Sequence, residues 1–209
     1  MSGVLDFLRQ HDQQQALGAP VGAKLFAAAP DGTDTDPGNL VLWETRAKEV
    51  GATQLSPARG GRLLQALWAK DKQMRRLEPN AVERMEPFLA FATVVANLDL
   101  IRQSERGDYM LVLLSGSIAV DRLQPWGERL RLTEIVPGEM LGEMSLFDGG
   151  ARFSTCTTLS ECEVAVLSAD AMDDMLRAEP VLTASLVTML ARKLSLRLRA
   201  VSARLSEIK

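Results

Sequence analysis

Pro137 to Ser154 reads PGEMLGEMSLFDGGARFS, and the organisation of the whole chain can be worked out from this stretch. Gly138, Gly142, Gly149 and Gly150 surround one carboxylate, Glu143, and one guanidinium, Arg152. Glycines that expose backbone N–H groups, followed by an arginine, cradle a phosphate without a metal or a lysine. Glu143 lies nine residues before Arg152, placed to accept from a sugar hydroxyl while the arginine and amides hold the phosphate. The pairing predicts a small phosphorylated nucleoside as ligand.

Short strand-like runs lie on both sides of this stretch. They are FATVVA (91–96), LIRQ (100–103), YMLVLL (109–114), SIAVDRL (117–123), RLRLTEIV (129–136), STCTTL (154–159) and CEVAVL (162–167). Turn signals such as Arg106-Gly107-Asp108, Pro125-Trp126-Gly127 and Asp148-Gly149-Gly150 separate them. Strands so short and so regularly punctuated predict an antiparallel sandwich or barrel.

Helical patterns flank the strands. Residues 1–85 read as a helical, partly flexible N-terminal extension, with a short helix over Gly3 to His11 and a linker over Ala28 to Asn39. Leu40, Trp43, Ala47 and Val50 recur at helical spacing, SPARGG (56–61) reads as a break, and a second helix is expected from Arg62 to about Leu77. Its apolar face carries Leu63, Leu67, Met74 and Leu77, and Ala81 to Phe88 reads as another short helix. After Leu167, Ser168 is an N-cap for a short helix carrying Met172, Met175 and Leu176. From Pro180 a final helix runs toward Lys209, and Leu190, Leu194, Leu198, Val201, Leu205 and Ile208 form nearly a heptad seam along it. That seam packs either on the chain's own barrel or against a second copy. Arg192, Lys193, Arg197, Arg199, Arg204 and Lys209 make the same helix basic, as a docking face for an acidic partner or as a solvated surface.

Composition narrows the chemistry. The net charge of −3 over 209 residues argues against a general nucleic-acid binder. No apolar run reaches the roughly 18 residues a membrane span needs, and the N-terminus lacks the features of a secretory signal. Cys156 and Cys162 are too few for a disulfide scaffold, so a cytoplasmic location is expected, and each reads as a small buried hydrophobe. The single histidine, His11, cannot supply a cupin-type metal site, a haem or a Ser–His–acid triad. No cofactor, no metal and no enzymatic activity are expected. A metal-independent β-roll isomerase is disfavoured because no histidine base lies in the strand region. Trp43, Trp68 and Trp126 are expected as packing or lid residues.

The order helix, β-roll, Gly-rich acid–arginine cassette, short helix, long helix resembles the cyclic nucleotide-binding domain family, of catabolite activator protein and protein kinase A regulatory subunit type. GEMSLFDGGAR (142–152) looks like the family's phosphate-binding cassette, and Gly107-Asp108, Gly116 and Pro137-Gly138-Glu139 fit its pattern. The resemblance covers residues 86–209 as the binding domain, and it implies an α+β fold. In that fold an antiparallel, jelly-roll-like β-roll is flanked by N-terminal helices and a long C-terminal helix. It implies a ligand site at Gly142, Glu143, Met144, Ser145, Arg152, Phe153, Ser154 and Arg197. Glu143 would accept from the ribose 2′-OH, Arg152 would pair with the phosphate oxygens, and the amides of Phe153 and Ser154 would complete the cradle. A Glu143–Arg152 ion pair closing a turn is the alternative reading of the same residues.

The chain departs from the family at Phe153, where a small residue is usual; its ring either turns into the core or narrows the pocket. Arg197 and Leu198 fall where family members cap the purine, so Arg197 either contacts the base or belongs to a solvated face. The expected function is a cyclic mononucleotide sensor, with cAMP as ligand, that repacks its helices on binding and signals to a partner protein as a homodimer. No helix-turn-helix follows the long helix, so DNA binding is not expected. The rival reading is a cassette that has lost its ligand and serves as a dimerisation or docking scaffold.

Overall fold

The computed structural model describes Phe26 and residues 40–206. The helix read over Gly3–His11, the linker Ala28–Asn39, and the side chains of Arg204, Leu205, Ile208 and Lys209 lie outside the described residues.

Strands β1 (Leu40–Val41) and β2 (Thr53–Gln54) bracket helix α1 (Trp43–Glu49), and α2 (Pro57–Lys70) and α3 (Ala81–Met85) follow. The roll comprises β3 (Ala90–Val94), β4 (Asp99–Ile101), β5 (Arg106–Gly107), β6 (Tyr109–Ser115), β7 (Ile118–Leu123), β8 (Arg129–Ile135) and β9 (Met140–Leu141). Helix α4 (Glu143–Asp148) interrupts it before β10 (Thr155–Thr158) and β11 (Cys162–Ser168), and α5 (Ala169–Ala178) and α6 (Pro180–Ser206) close the described chain. One sheet runs β4-β10-β7-β8 and the other β2-β3-β11-β6-β9, with antiparallel neighbours throughout; β1 pairs with β5 in parallel. All seven strands read from the sequence are present. The ones it missed are two residues long and carry no periodicity of their own.

Why YMLVLL is apolar without a break follows from the layering. Tyr109, Leu111 and Leu113 face a core shared by the two sheets, with Ile118, Val120, Val164 and Val166. Met110, Val112 and Leu114 face the opposite way, into a second core with Leu64, Trp68, Met85, Met172 and Leu186 from the helices. A strand buried on both faces loses the period-two alternation that marks a half-buried strand. β8 shows the contrary case, an edge strand exposed along nearly its whole length.

Two helical expectations change. SPARGG does not break the chain: Pro57 occupies the first turn of α2, and Gly60 and Gly61 lie inside the helix. A Cβ at Gly60 would stand 2.1 Å from Cδ1 of Phe91, so the glycine is there to let the helix lie against the ring. The helix also ends at Lys70 and not near Leu77, because the Asp71 carboxylate accepts from the amides of Gln73 (2.8 Å) and Met74 (2.9 Å) and forms a turn. Leu64 and Trp68 thereby become the buried face, with Leu63 and Leu67 only partly covered. The Ser168 cap is formed as expected, its hydroxyl accepting from Ala171 N. Trp43 and Trp68 are core residues, whereas Trp126 is exposed at the β7–β8 turn.

The last helix divides along its length. Leu182, Leu186 and Leu190 are buried on the chain's own core, while Leu196, Leu198 and Val201 are exposed. Among its basic residues, Lys193 pairs with Asp71 at 2.6 Å and Arg197 with Glu143. Among the described residues, no helix is long and apolar enough to cross a membrane.

The Gly60 contact yields a prediction. Gly60→Ala gains helix propensity yet forces Phe91 aside, so overpacking should lower unfolding free energy by about 1–3 kcal/mol. Urea denaturation would measure the loss, and adding Phe91→Leu should recover part of it.

Candidate functional site

The cassette is anchored at both ends. β9 pairs with β6 through Leu111↔Leu141 and Val112↔Met140, then Gly142 turns the chain into α4 with a positive φ of 75°. A Cβ at Gly142 would lie 2.6 Å from Nη1 of Arg152 and 3.0 Å from the Tyr109 carbonyl oxygen. Gly142, at the N-cap of α4, has no side chain to cap it, and among the described residues no side chain accepts from its first-turn amides. Beyond the helix, Arg152 N donates to Glu105 O at 2.7 Å and Ser104 N donates to Arg152 O at 2.9 Å. The backbone on either side of the arginine is therefore fixed. On the outer side of α4, Phe147 meets Phe26 edge-on at 6.2 Å, and the Phe26 amide donates to the Asp173 carboxylate at 3.0 Å.

Arg152 is 4% exposed. Its Nη1 donates to Gly142 O at 3.0 Å and its Nη2 to Tyr109 O at 2.7 Å, and its guanidinium carbon sits 4.6 Å from the centre of the Tyr109 ring. Among the described residues, no carboxylate lies within ion-pair distance of it. Burial pulls its pKa down, against the opposing effect of Tyr109, Cys156 and Asp108. Its hydrogen-bond acceptors are neutral carbonyls, so no ion pair among the described residues offsets the cost of burying the cation.

Glu143, also buried, does not supply that charge. It accepts from Arg197 Nη1 at 2.5 Å, while Arg197 Nη2 donates to Met140 O at 3.3 Å. The Glu143–Arg152 ion pair, one of the two readings of this acid and base, is not formed. Instead the acid of the cassette is tied to the last helix.

A cavity of about 410 Å³ opens between these groups. That is within the roughly 300–1,000 Å³ typical of small-molecule sites. All eight expected residues line it: Gly142, Glu143, Met144, Ser145, Arg152, Phe153, Ser154 and Arg197. Leu132 and Thr133 of β8 and Val120 of β7 also line it, none of them assigned from the sequence. Leu198 is displaced from the site: it is exposed, and Ala200 and Val201 line the cavity beside Arg197. Helical geometry puts positions three and four residues on from Arg197 on its face, not its immediate neighbour. That spacing was the available signal.

Phe153 does not enter the core. It sits at the rim with the Arg122 guanidinium 3.7 Å above its ring, and Arg122 Nη1 donates to its carbonyl at 3.0 Å. Cys156 lines the cavity floor, buried, its thiol pushed up to about 12 by desolvation. At that value it is an unreactive apolar surface. Among the described residues, no group of three or more His, Cys, Asp or Glu side chains is placed to hold a metal ion.

Asp108 is the other unusual group near the anchor. One of its carboxylate oxygens is buried without a hydrogen-bond partner. Burial raises its pKa, Glu44 and Asp170 add repulsion, and Arg152 acts in the opposite sense.

A family model described as Cyclic nucleotide-binding domain matches residues 93–179. A CRP-like cAMP-activated global transcriptional regulator of Mycobacterium tuberculosis is 30% identical over 118 residues, covering 56% of this chain and 53% of the relative. The cyclic AMP receptor protein of Thermus thermophilus is 29% identical over 92 residues, 44% of this chain and 43% of that one. The chain spans about half the length of the curated relatives it matches. Among solved structures, a cyclic nucleotide-binding domain from Methylobacillus flagellatus aligns with a TM-score of 0.68 at 23% identity, covering 76% of this chain and 89% of that one. At that identity the likeness speaks for the fold, a β-roll with flanking helices.

Two outcomes follow from the geometry. Gly142→Ala should destabilise the fold by about 1–2 kcal/mol from the left-handed backbone alone, more once Arg152 is pushed aside, as read by chemical denaturation. For Asp108 the folded state holds the proton more tightly than the unfolded chain. Its contribution to stability is thus full below the unfolded carboxylate pKa and is lost as pH rises through the folded value. Asp108→Asn should therefore stabilise the protein more at pH 7 than at pH 4, measured as the difference in urea midpoints between variant and parent.

Proposed function

We propose, from the premise that this chain carries a domain of the cyclic nucleotide-binding family, that it is a receptor for a cyclic mononucleotide, with cAMP as the ligand. The observation that carries the reading is Arg152: a buried guanidinium without a carboxylate partner among the described residues, lining a cavity beside the uncapped start of α4. A cyclic phosphate supplies the missing counter-charge, and charge-assisted arginine–phosphate bonds are among the stronger hydrogen bonds. The names of the relatives, which describe cAMP-activated and cyclic AMP receptor proteins, favour adenine as the base.

The Glu143–Arg197 pair supplies the switch. A ribose 2′-OH donating to Glu143 competes with Arg197 for the same oxygen, so ligand entry loosens the tie between cassette and α6. Arg197 is then free to turn toward the purine. Ligand binding so shifts a population between two packings of the distal helix, since it interacts differently with the two states. The exposed Leu198 and Val201 extend the seam beyond the chain's own core and suit a second copy of α6. The signal would pass from the helices to a partner protein.

Calorimetry with cAMP, cGMP and cyclic di-GMP tests the reading. Saturable heat with cAMP is expected, with Arg152→Gln weakening it at least tenfold, about the value of one hydrogen bond to a charged group. The 2′-deoxy analogue should bind more weakly than cAMP to the parent protein and equally to Glu143→Ala. No heat with any of the three nucleotides would sink the receptor reading in favour of the scaffold.

A further inference from the structure

Arg46 is a charged side chain with no exposed surface, and the ligand chemistry above makes no use of it. It lies on α1, well before the segment that matches the family model. Its Nη2 donates to the Glu105 carboxylate and its Nη1 to Glu49 Oε2 at 2.6 Å, while its Nε has no partner. An orphaned buried donor is a net cost to folding, and a buried ion pair is weak support for stability. What such an arrangement does secure is position.

Three connections run from this region to Arg152. The first is main chain: Glu105, gripped by Arg46 through its side chain, accepts the Arg152 amide on its own carbonyl. The second is Tyr109, whose ring faces the Arg152 guanidinium and whose carbonyl accepts from Nη2. The Tyr109 hydroxyl donates to Leu100 O at 2.6 Å and also faces Arg46, and Trp43 of α1 packs against the ring at 5.5 Å. The third is β1, which pairs Leu40 with Arg106 and Val41 with Gly107. Gly107 is directly behind the anchor, since a Cβ there would stand 2.5 Å from Arg152 Nη2. Residues 40–49 thus pack behind the residues that hold the guanidinium.

We propose that Arg46 is a positioning residue for the Arg152 anchor, acting through Glu105 and Tyr109, so that residues 40–49 set the affinity of the anion pocket. The ligand in this inference is that of the receptor reading, whereas the positioning of Arg152 is a property of the ligand-free protein. Glu105 and Glu49 reach solvent, so removing their partner leaves neither carboxylate stranded in the interior.

The test uses the full chain with 15N-labelled arginine and reads the Nε–Hε resonance of Arg152, identified by its absence in Arg152→Lys. In Arg46→Met and in Glu105→Gln this resonance should shift or broaden without ligand, and cAMP affinity by calorimetry should fall about tenfold. The double variant should lose little more than either single one, because both changes cut the same connection. Arg46→Lys, which keeps the charge, should retain affinity within about threefold and return the resonance toward its original position. Lower melting temperatures in the variants with an unmoved Arg152 resonance and unchanged affinity would overturn the proposal. Should Arg46→Met not fold, Glu105→Gln and Arg46→Lys decide it by the same two readouts. A parent protein that binds no cyclic nucleotide, yet whose Arg152 resonance responds to Arg46→Met, would reject the receptor reading and keep the positioning role.

Discussion

The guanidinium of Arg152 is buried with a ring on one side and backbone carbonyls at its edges, and the surrounding structure is arranged around that constraint. Two donors are satisfied by Gly142 and Tyr109. No carboxylate among the described residues forms an ion pair with it. Holding it there takes a glycine with positive φ at one edge, a glycine behind it, and strand pairing on its own backbone. Neutral acceptors hold the cation in place and leave its charge available. An anion entering the cavity therefore meets a donor that is already oriented, which reduces the entropy lost on binding.

The layered core places the anchor and the helices on opposite faces of one strand. β6 carries Tyr109 beside the anchor on one face and Met110, Val112 and Leu114 against the helices on the other. The strand that holds the anchor also packs against α2 and α4 and shares a core with Met172 of α5 and Leu186 of α6. Close-packed interiors transmit a displacement and do not absorb it. The Glu143–Arg197 pair adds a direct link between the cassette and the distal part of α6, where the helix leaves its own core. In the proposed receptor, a ribose hydroxyl on Glu143 competes with that link.

The seven longer strands, the Ser168 cap and the acid, base and glycines of the cassette each leave a local signal in the sequence, whereas Arg197 is placed beside them only by the resemblance. Punctuated β-rich runs, a capping serine before an apolar stripe, and glycines flanking an acid and a base are all visible within a few residues. The sequence reading misplaced α2 because Gly60 and Gly61 read as breakers until the Phe91 ring packed against them is in view. The end of the same helix was misjudged because the Asp71 turn competes with a helical pattern that continues through Met74. Leu198 falls beside Arg197 in the sequence but not on its helical face, which Ala200 and Val201 share instead.

What the sequence by itself determined is the kind of fold and the presence of a glycine-rich stretch around one acid and one base, since both are written in short-range patterns of polarity and backbone permissiveness. Which acid meets which base was decided only by tertiary structure. Glu143 and Arg152 are close in the chain, yet Glu143 pairs with Arg197 from the last helix and Arg152 pairs with no carboxylate among the described residues. Arg46 shows the same limit: it lies on a helix of seven residues, and only the fold buries it completely. Ion pairing depends on distances across the fold and on how much water the fold excludes, and neither is a property of neighbouring letters.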